Sequence, residues 1–245
     1  MTRSSRSLQV LGAVNLSKVA DKIETDGAGI FTPTATTGLL LRAANALELA
    51  DKAVLDLGCG WGVIGFELAL TQPLNLSMSD YSLPAVEAAK SNRDVLGITA
   101  DIRFGSKLDP WLGSHFDLII ADVSGISSEL PLLDLWFDKI PAATGPTGHD
   151  LTIEVLKQAN ENLRTGGMVL IPLISLSNTE LAREAFHNQF SSVSRVGRLD
   201  WSLRGLTDEQ IDSMIAARKN RNLDFTVMDN TVLCWTEVYL LEGAK

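Results

Sequence analysis

The chain has 245 residues, 45% hydrophobic and 21% charged, a size and balance suited to one large domain with a substantial buried core. Apolar runs are broken by Gly, Asp or Ser within about ten residues, short of the roughly 20 that a membrane-spanning helix requires, so such a helix is excluded. Thirty acidic residues against 21 basic ones give a formal charge of −9, which disfavours a polyphosphate partner and points to a small-molecule or protein acceptor.

The start carries Arg3 and Arg6 before a weak apolar run at 8–14 that Gly12 interrupts, with no small-residue cleavage site after it. A cytoplasmic chain is expected. Cys59 and Cys234 form neither a Cys-x-x-Cys pair nor part of a paired-His spacing, so no metal is expected. Within 19–31, short apolar alternation surrounds Asp26-Gly27-Ala28-Gly29, a turn between two possible strands. A helix over 34–49 follows.

From Ala53 strands and helices alternate: strands at 54–57, 74–79, 102–104, 116–121 and 168–172, and helices at 63–70, 84–96 and 153–163. Pro84 is tolerated in a first helical turn and Gly97 stops that helix. Ser177-Asn178-Thr179-Glu180 forms a capping box that opens a helix to about residue 190. Two final strands are expected at 192–199 and 232–241. Between them, 200–230 holds a second capping box, Thr207-Asp208-Glu209-Gln210, and a helix over 211–219.

The richest segment is Asp56-Leu57-Gly58-Cys59-Gly60-Trp61-Gly62-Val63-Ile64-Gly65, where the first strand of the sheet turns into a helix. Open α/β sheets bind ligands at such crevices, and glycine lets a nucleoside approach the backbone closely. Gly60-x-Gly62-x-x-Gly65, with Asp80 20 residues after Gly60, satisfies a dinucleotide fingerprint. Asp56 argues against it, because it would set an anion beside a pyrophosphate in a poorly screened crevice.

Asp-Leu-Gly-Cys-Gly-x-Gly, followed by an acid 18 residues after its last glycine, resembles the class I S-adenosylmethionine-dependent methyltransferases over about 34–199. The resemblance implies a doubly wound, Rossmann-like α/β sheet of seven strands in the order 3-2-1-4-5-7-6, the last antiparallel. Beside that frame the sequence itself gives a short N-terminal segment at 1–33, expected as a lid, a catalytic domain at 34–245, and a helical insertion at 200–230 where most members of the family have a tight hairpin. S-adenosylmethionine is the implied cofactor. In that family Asp56 lies near the methionyl amine, Gly58, Gly60 and Gly62 line the ligand, Asp80 takes the ribose hydroxyls and Tyr81 the adenine. Phe31, Thr37, Cys59, Ser106 and Asp122 are further implied contacts.

Within the superfamily the chain is similar to the branch of release-factor glutamine methyltransferases and small-domain RNA guanine methyltransferases. Gly29-Ile30-Phe31-Thr32-Pro33, Ala88-Ala89-Lys90-Ser91-Asn92 and Gly148-His149-Asp150-Leu151 carry this likeness. Where that branch has Asn-Pro-Pro-Tyr to grip a planar amine, this chain has Asp122-Val123-Ser124-Gly125, which keeps an acceptor and loses the proline wall and the stacking ring. Asp122 and Ser124 are the candidate catalytic residues. Asp122 either caps the next turn or handles a proton of the acceptor. Trp136, Phe137, His149, Trp201 and Arg204 are candidates for the substrate pocket, with packing or hydrogen bonding as their structural alternative.

These features suggest methyl transfer to a small-molecule amine, hydroxyl or carboxylate, without nucleic acid or membrane partners. Three alternatives stand beside it: use of the cofactor's aminocarboxypropyl group, a protein N-methyltransferase, and a binding module that has lost catalysis. The sequence does not speak to oligomeric state.

Overall fold

The structure is a computed structural model that describes residues 9–11, 19, 23, 29–123, 125–130 and 144–244. Among these the elements run β1 (Gln9–Leu11), α1 (Ala35–Asn45), β2 (Ala53–Leu57), α2 (Val63–Thr71), β3 (Asn75–Asp80), α3 (Leu83–Leu96), β4 (Ala100–Phe104) and β5 (Phe116–Ala121). They continue with α4 (Asp150–Asn162), β6 (Leu163–Ile174), α5 (Thr179–Gln189), β7 (Phe190–Arg204), α6 (Asp208–Arg221), β8 (Thr226–Met228) and β9 (Thr231–Ala244).

The apolar runs of β2 and β5 become central strands because helices cover both faces of the sheet and leave no room for alternation. The strands lie in the order β1-β7-β9-β6-β5-β2-β3-β4, with β8 paired to β9. Pairing is parallel from β4 through β6 and antiparallel at β9, β7 and β1. Omitting β1 and β8, this is the expected 3-2-1-4-5-7-6 order. The parallel strands all end on one edge, where the turns after β2, β3 and β5 gather Asp56, Asp80 and Asp122.

One core fills the face under α4 and α5, with Ile119, Ile171, Leu156 and Phe186 fully buried. Another fills the opposite face, with Leu40, Val54, Leu68 and Leu118. A third core fastens the excursion between the last two strands: Met214 and Ala217 of α6 pack with Phe225, Leu203, Val232 and Leu176. Each large apolar side chain so buried contributes roughly 2 kcal/mol before chain entropy is subtracted.

The last hairpin is longer than its sequence suggests. β7 runs on to Arg204 and β9 starts at Thr231, so the connection between them spans 205–230 rather than 200–230, and β8 within it returns to pair with β9. Residues 200–203 stay in register opposite Trp235 to Val232 because Leu203 feeds the third core. Of the N-terminal extension, Gln9–Leu11 adds an edge strand to the end of β7. The turn expected at 26–29 falls outside the described residues except for Gly29.

Candidate functional site

The glycine turn is shaped by close backbone approach. The N–H groups of Gly58 and Cys59 both donate to the Ser79 carbonyl, at 2.9 and 3.0 Å, which draws the turn onto the end of β3. Gly58 has φ +78°, and a Cβ there would lie 2.7 Å from the backbone oxygen of Asp122. Only glycine tolerates both conditions. Gly62 also has positive φ, but a Cβ there would strike Phe66 and Met78. It is therefore a packing glycine between α2 and the sheet, and it does not line the crevice as expected.

Three carboxylates converge on this edge. Asp56, 1% exposed, accepts the Gly65 N–H at Oδ2 (2.9 Å), while its Oδ1 is buried without a partner. Burial raises its pKa to about 7, helped by the charges of Asp122 and Asp80. Asp80 accepts the Ser82 N–H at Oδ1 (2.8 Å) and the Gly60 N–H at Oδ2 (2.9 Å), and burial raises its pKa as well. Asp122 receives the Thr37 hydroxyl at Oδ2 (3.0 Å) and is pushed up to about 6 by burial. Thr37 is itself fixed by the start of α1, where its Oγ1 accepts the Thr34 N–H in a capping box.

A cavity of about 750 Å³ joins these groups. Phe31, Thr37, Asp56, Gly58, Cys59, Gly60, Asp80, Tyr81, Ser106, Asp122 and Trp201 all line it. Tyr81 lies 58% exposed at one end, stacked on Phe104 with centroids 6.4 Å apart. The Trp201 Nε1 donates to Thr236 Oγ1 at 3.1 Å. Sequence reasoning missed Ile126, Ile174 and Leu199, which line the same cavity. Their only signal was their place at strand ends and in the loop after β5.

Two candidates are corrected. Arg204 sits at the outer end of β7 opposite Gln9 and does not line the cavity. His149, expected in the pocket, is 0% exposed beneath the start of α4, with Nδ1 and Nε2 both unpartnered, and does not line the cavity. Ser124, Trp136 and Phe137 lie outside the described residues. Arg221, another residue of the excursion, pairs with Glu129 and so ties α6 to the loop after β5.

Burial holds His149 neutral and lowers its pKa to about 4 from 6.5. A lowered His pKa means stability that is complete above about pH 6.5 and is lost as pH falls through 4, by about 3 kcal/mol. His149→Leu is expected to remove that acid loss. Thermal melts at neutral pH and near pH 5 should show a smaller drop in the variant, and equal drops would contradict the assignment.

Residues 28–122 match the family model described as methyltransferase small domain. Over these residues the match bears out the resemblance to class I S-adenosylmethionine-dependent methyltransferases that the glycine motif carries. It is 27% identical over 196 residues to the release factor glutamine methyltransferase of Chlorobaculum tepidum, covering 73% of this chain and 66% of that one. It is 40% identical over 70 residues to the ribosomal RNA small subunit methyltransferase C of Enterobacter sp., covering 28% of this chain and 20% of that one. The chain thus spans less than two thirds of either relative. Its fold is similar to that of a T. Thermophilus 16S rRNA N2 methyltransferase in complex with AdoMet and guanosine, with a TM-score of 0.57, 15% identity, and coverage of 89% and 44%.

These methyltransferases are named for a protein factor and for ribosomal RNA, which overturns the expectation of a small-molecule acceptor with no nucleic acid. Net charge misled because it averages over the whole surface, whereas an acceptor is met at one edge of the sheet. The excursion after β7 is largely occupied with its own core.

Proposed function

We propose that the chain transfers the methyl group of S-adenosylmethionine to a macromolecular acceptor at this strand edge. The observation that carries this reading is the unpartnered, buried Oδ1 of Asp56, between two further acids in a cavity large enough for a nucleoside. A buried carboxylate oxygen without a donor is costly unless a cationic ligand completes it, and the methionyl ammonium has that chemistry. S-adenosylmethionine supplies a sulfonium-activated methyl group.

The protein's own residues do the rest. Asp56 holds the ammonium. Asp80 has each oxygen already oriented by one backbone N–H, which leaves both with capacity to accept a ribose hydroxyl. Gly58 and Gly60 keep side chains out of the nucleoside's path, and Tyr81 packs on the adenine. Asp122, oriented by Thr37, faces the acceptor and takes its hydrogen bond.

Incubating the protein and methyl-labelled S-adenosylmethionine with an extract of cells lacking its gene is expected to place label in acid-precipitable material. Label confined to acid-soluble compounds would contradict a macromolecular acceptor.

A further inference from the structure

Among the described residues the cavity is lined by five acids, Asp56, Asp80, Asp122, Asp150 and Glu154, and by one cation, Lys107, whose ammonium is held by Glu154. Asp56 is completed by the cofactor's ammonium on the reading above, and Asp150 accepts the Thr147 hydroxyl at 3.2 Å. Asp122 has no such cation: among the described residues only Thr37 bonds to its carboxylate, and only at Oδ2. Val123 follows it in the chain, and the aliphatic side chains of Ile126, Ile174 and Leu199 line the same cavity together with Trp201.

A neutral planar amide or nucleobase would leave this carboxylate without a counter-charge in a desolvated site. The lining also presents the aliphatic side chains of Val123, Ile126, Ile174 and Leu199, and Gly125 stands where the branch carries its stacking ring. An ammonium on a hydrocarbon stem satisfies both features, its charge meeting Asp122 and its methylenes meeting the apolar walls.

We infer that the acceptor is an aliphatic primary amine of a protein, a lysine-type side chain, received as its ammonium by Asp122; this rests on the methyltransferase reading above. The ammonium gives one proton to Asp122, which passes it to solvent. The freed nitrogen lone pair forms the new N–C bond as the C–S bond breaks with its electron pair left on sulfur. Positive charge moves from sulfur to nitrogen, and Asp122 faces a methylammonium at the end as it faced an ammonium at the start.

The test is calorimetric, on the full chain, with two analogues in which the reactive methyl-sulfonium is replaced by nitrogen bearing either a propylamine or a propionamide. The amine analogue is expected to bind about tenfold more tightly than the amide, a charge-assisted preference. Asp122→Asn should bring the two within about twofold of each other. Equal affinities in the wild type, or tighter amide binding, would overturn the inference. Failure of S-adenosylmethionine itself to bind would overturn the reading beneath it. In the labelling experiment, acid hydrolysis should yield methyl-lysine. Volatile methylamine from an amide, or label released by ribonuclease, would overturn the amine assignment while leaving methyl transfer intact.

Discussion

Asp56→Asn is expected to weaken S-adenosylmethionine binding by about 100-fold, since a buried charge-assisted contact is lost, and at the same time to stabilise the ligand-free protein. The two effects have one origin. A carboxylate raised from 3.8 to about 7 on folding favours the folded state only while protonated. Its contribution is complete below pH 3.8 and is lost as pH rises through 7, so near pH 8 it leaves a deficit of up to about 4 kcal/mol. Asparagine is isosteric, keeps an oxygen for the Gly65 N–H and carries no charge to desolvate. Thermal melts of ligand-free protein near pH 8 should therefore show the variant higher by several degrees, with the gap shrinking toward pH 5. A variant no more stable than the wild type near pH 8 would show that Asp56 carries no unmet charge.

Gly58→Ala is expected to cost about 3 kcal/mol and to abolish cofactor binding. Its φ of +78° disfavours any Cβ, and the added carbon would lie 2.7 Å from the Asp122 carbonyl oxygen, a backbone atom with no rotamer to escape into. Relief requires the ends of β2 and β5 to part, which separates Asp56 from Asp122. Gly60→Ala provides the contrast: φ is +51°, but the nearest atom to the added Cβ is the Phe31 carbonyl oxygen at 3.8 Å, so the cost should be about 1 kcal/mol. Urea denaturation of the two variants should rank them in that order. Similar midpoints would mean that the Gly58–Asp122 approach does not hold the turn.

Much of this was legible in the sequence because it is local. The alternation of short apolar runs with helical periods, the Gly97 stop and the capping boxes specify elements within a few residues, and the strand order follows from the family resemblance. The acids at 56, 80 and 122 were readable from their places at strand ends. Long-range packing was not. Gly60 and Gly62 look alike in sequence, yet one faces a crevice and the other faces Phe66, which only the approach of α2 to the sheet decides. His149 next to Asp150 suggested a polar partner, but its ring nitrogens are sealed under α4 with none. The continuation of β7 through 200–203 depends on pairing with β9, more than 30 residues away, and on Leu203 joining a core built by α6.

The acceptor was misjudged for a related reason. Size and charge describe the whole chain, whereas the acceptor is set by what meets Asp122 at one edge. Where relatives of the branch carry a proline wall and a ring, Val123 and Gly125 leave an aliphatic, acidic recess. That local difference supports a cationic acceptor on a protein.

Calorimetric titration of S-adenosylmethionine into the wild-type protein and Asp56→Asn tests the central claim most directly. One site per chain, with affinity lost in the variant while its melting temperature rises, is the predicted result. No heat of binding in the wild type, or equal affinity in both proteins, would contradict it.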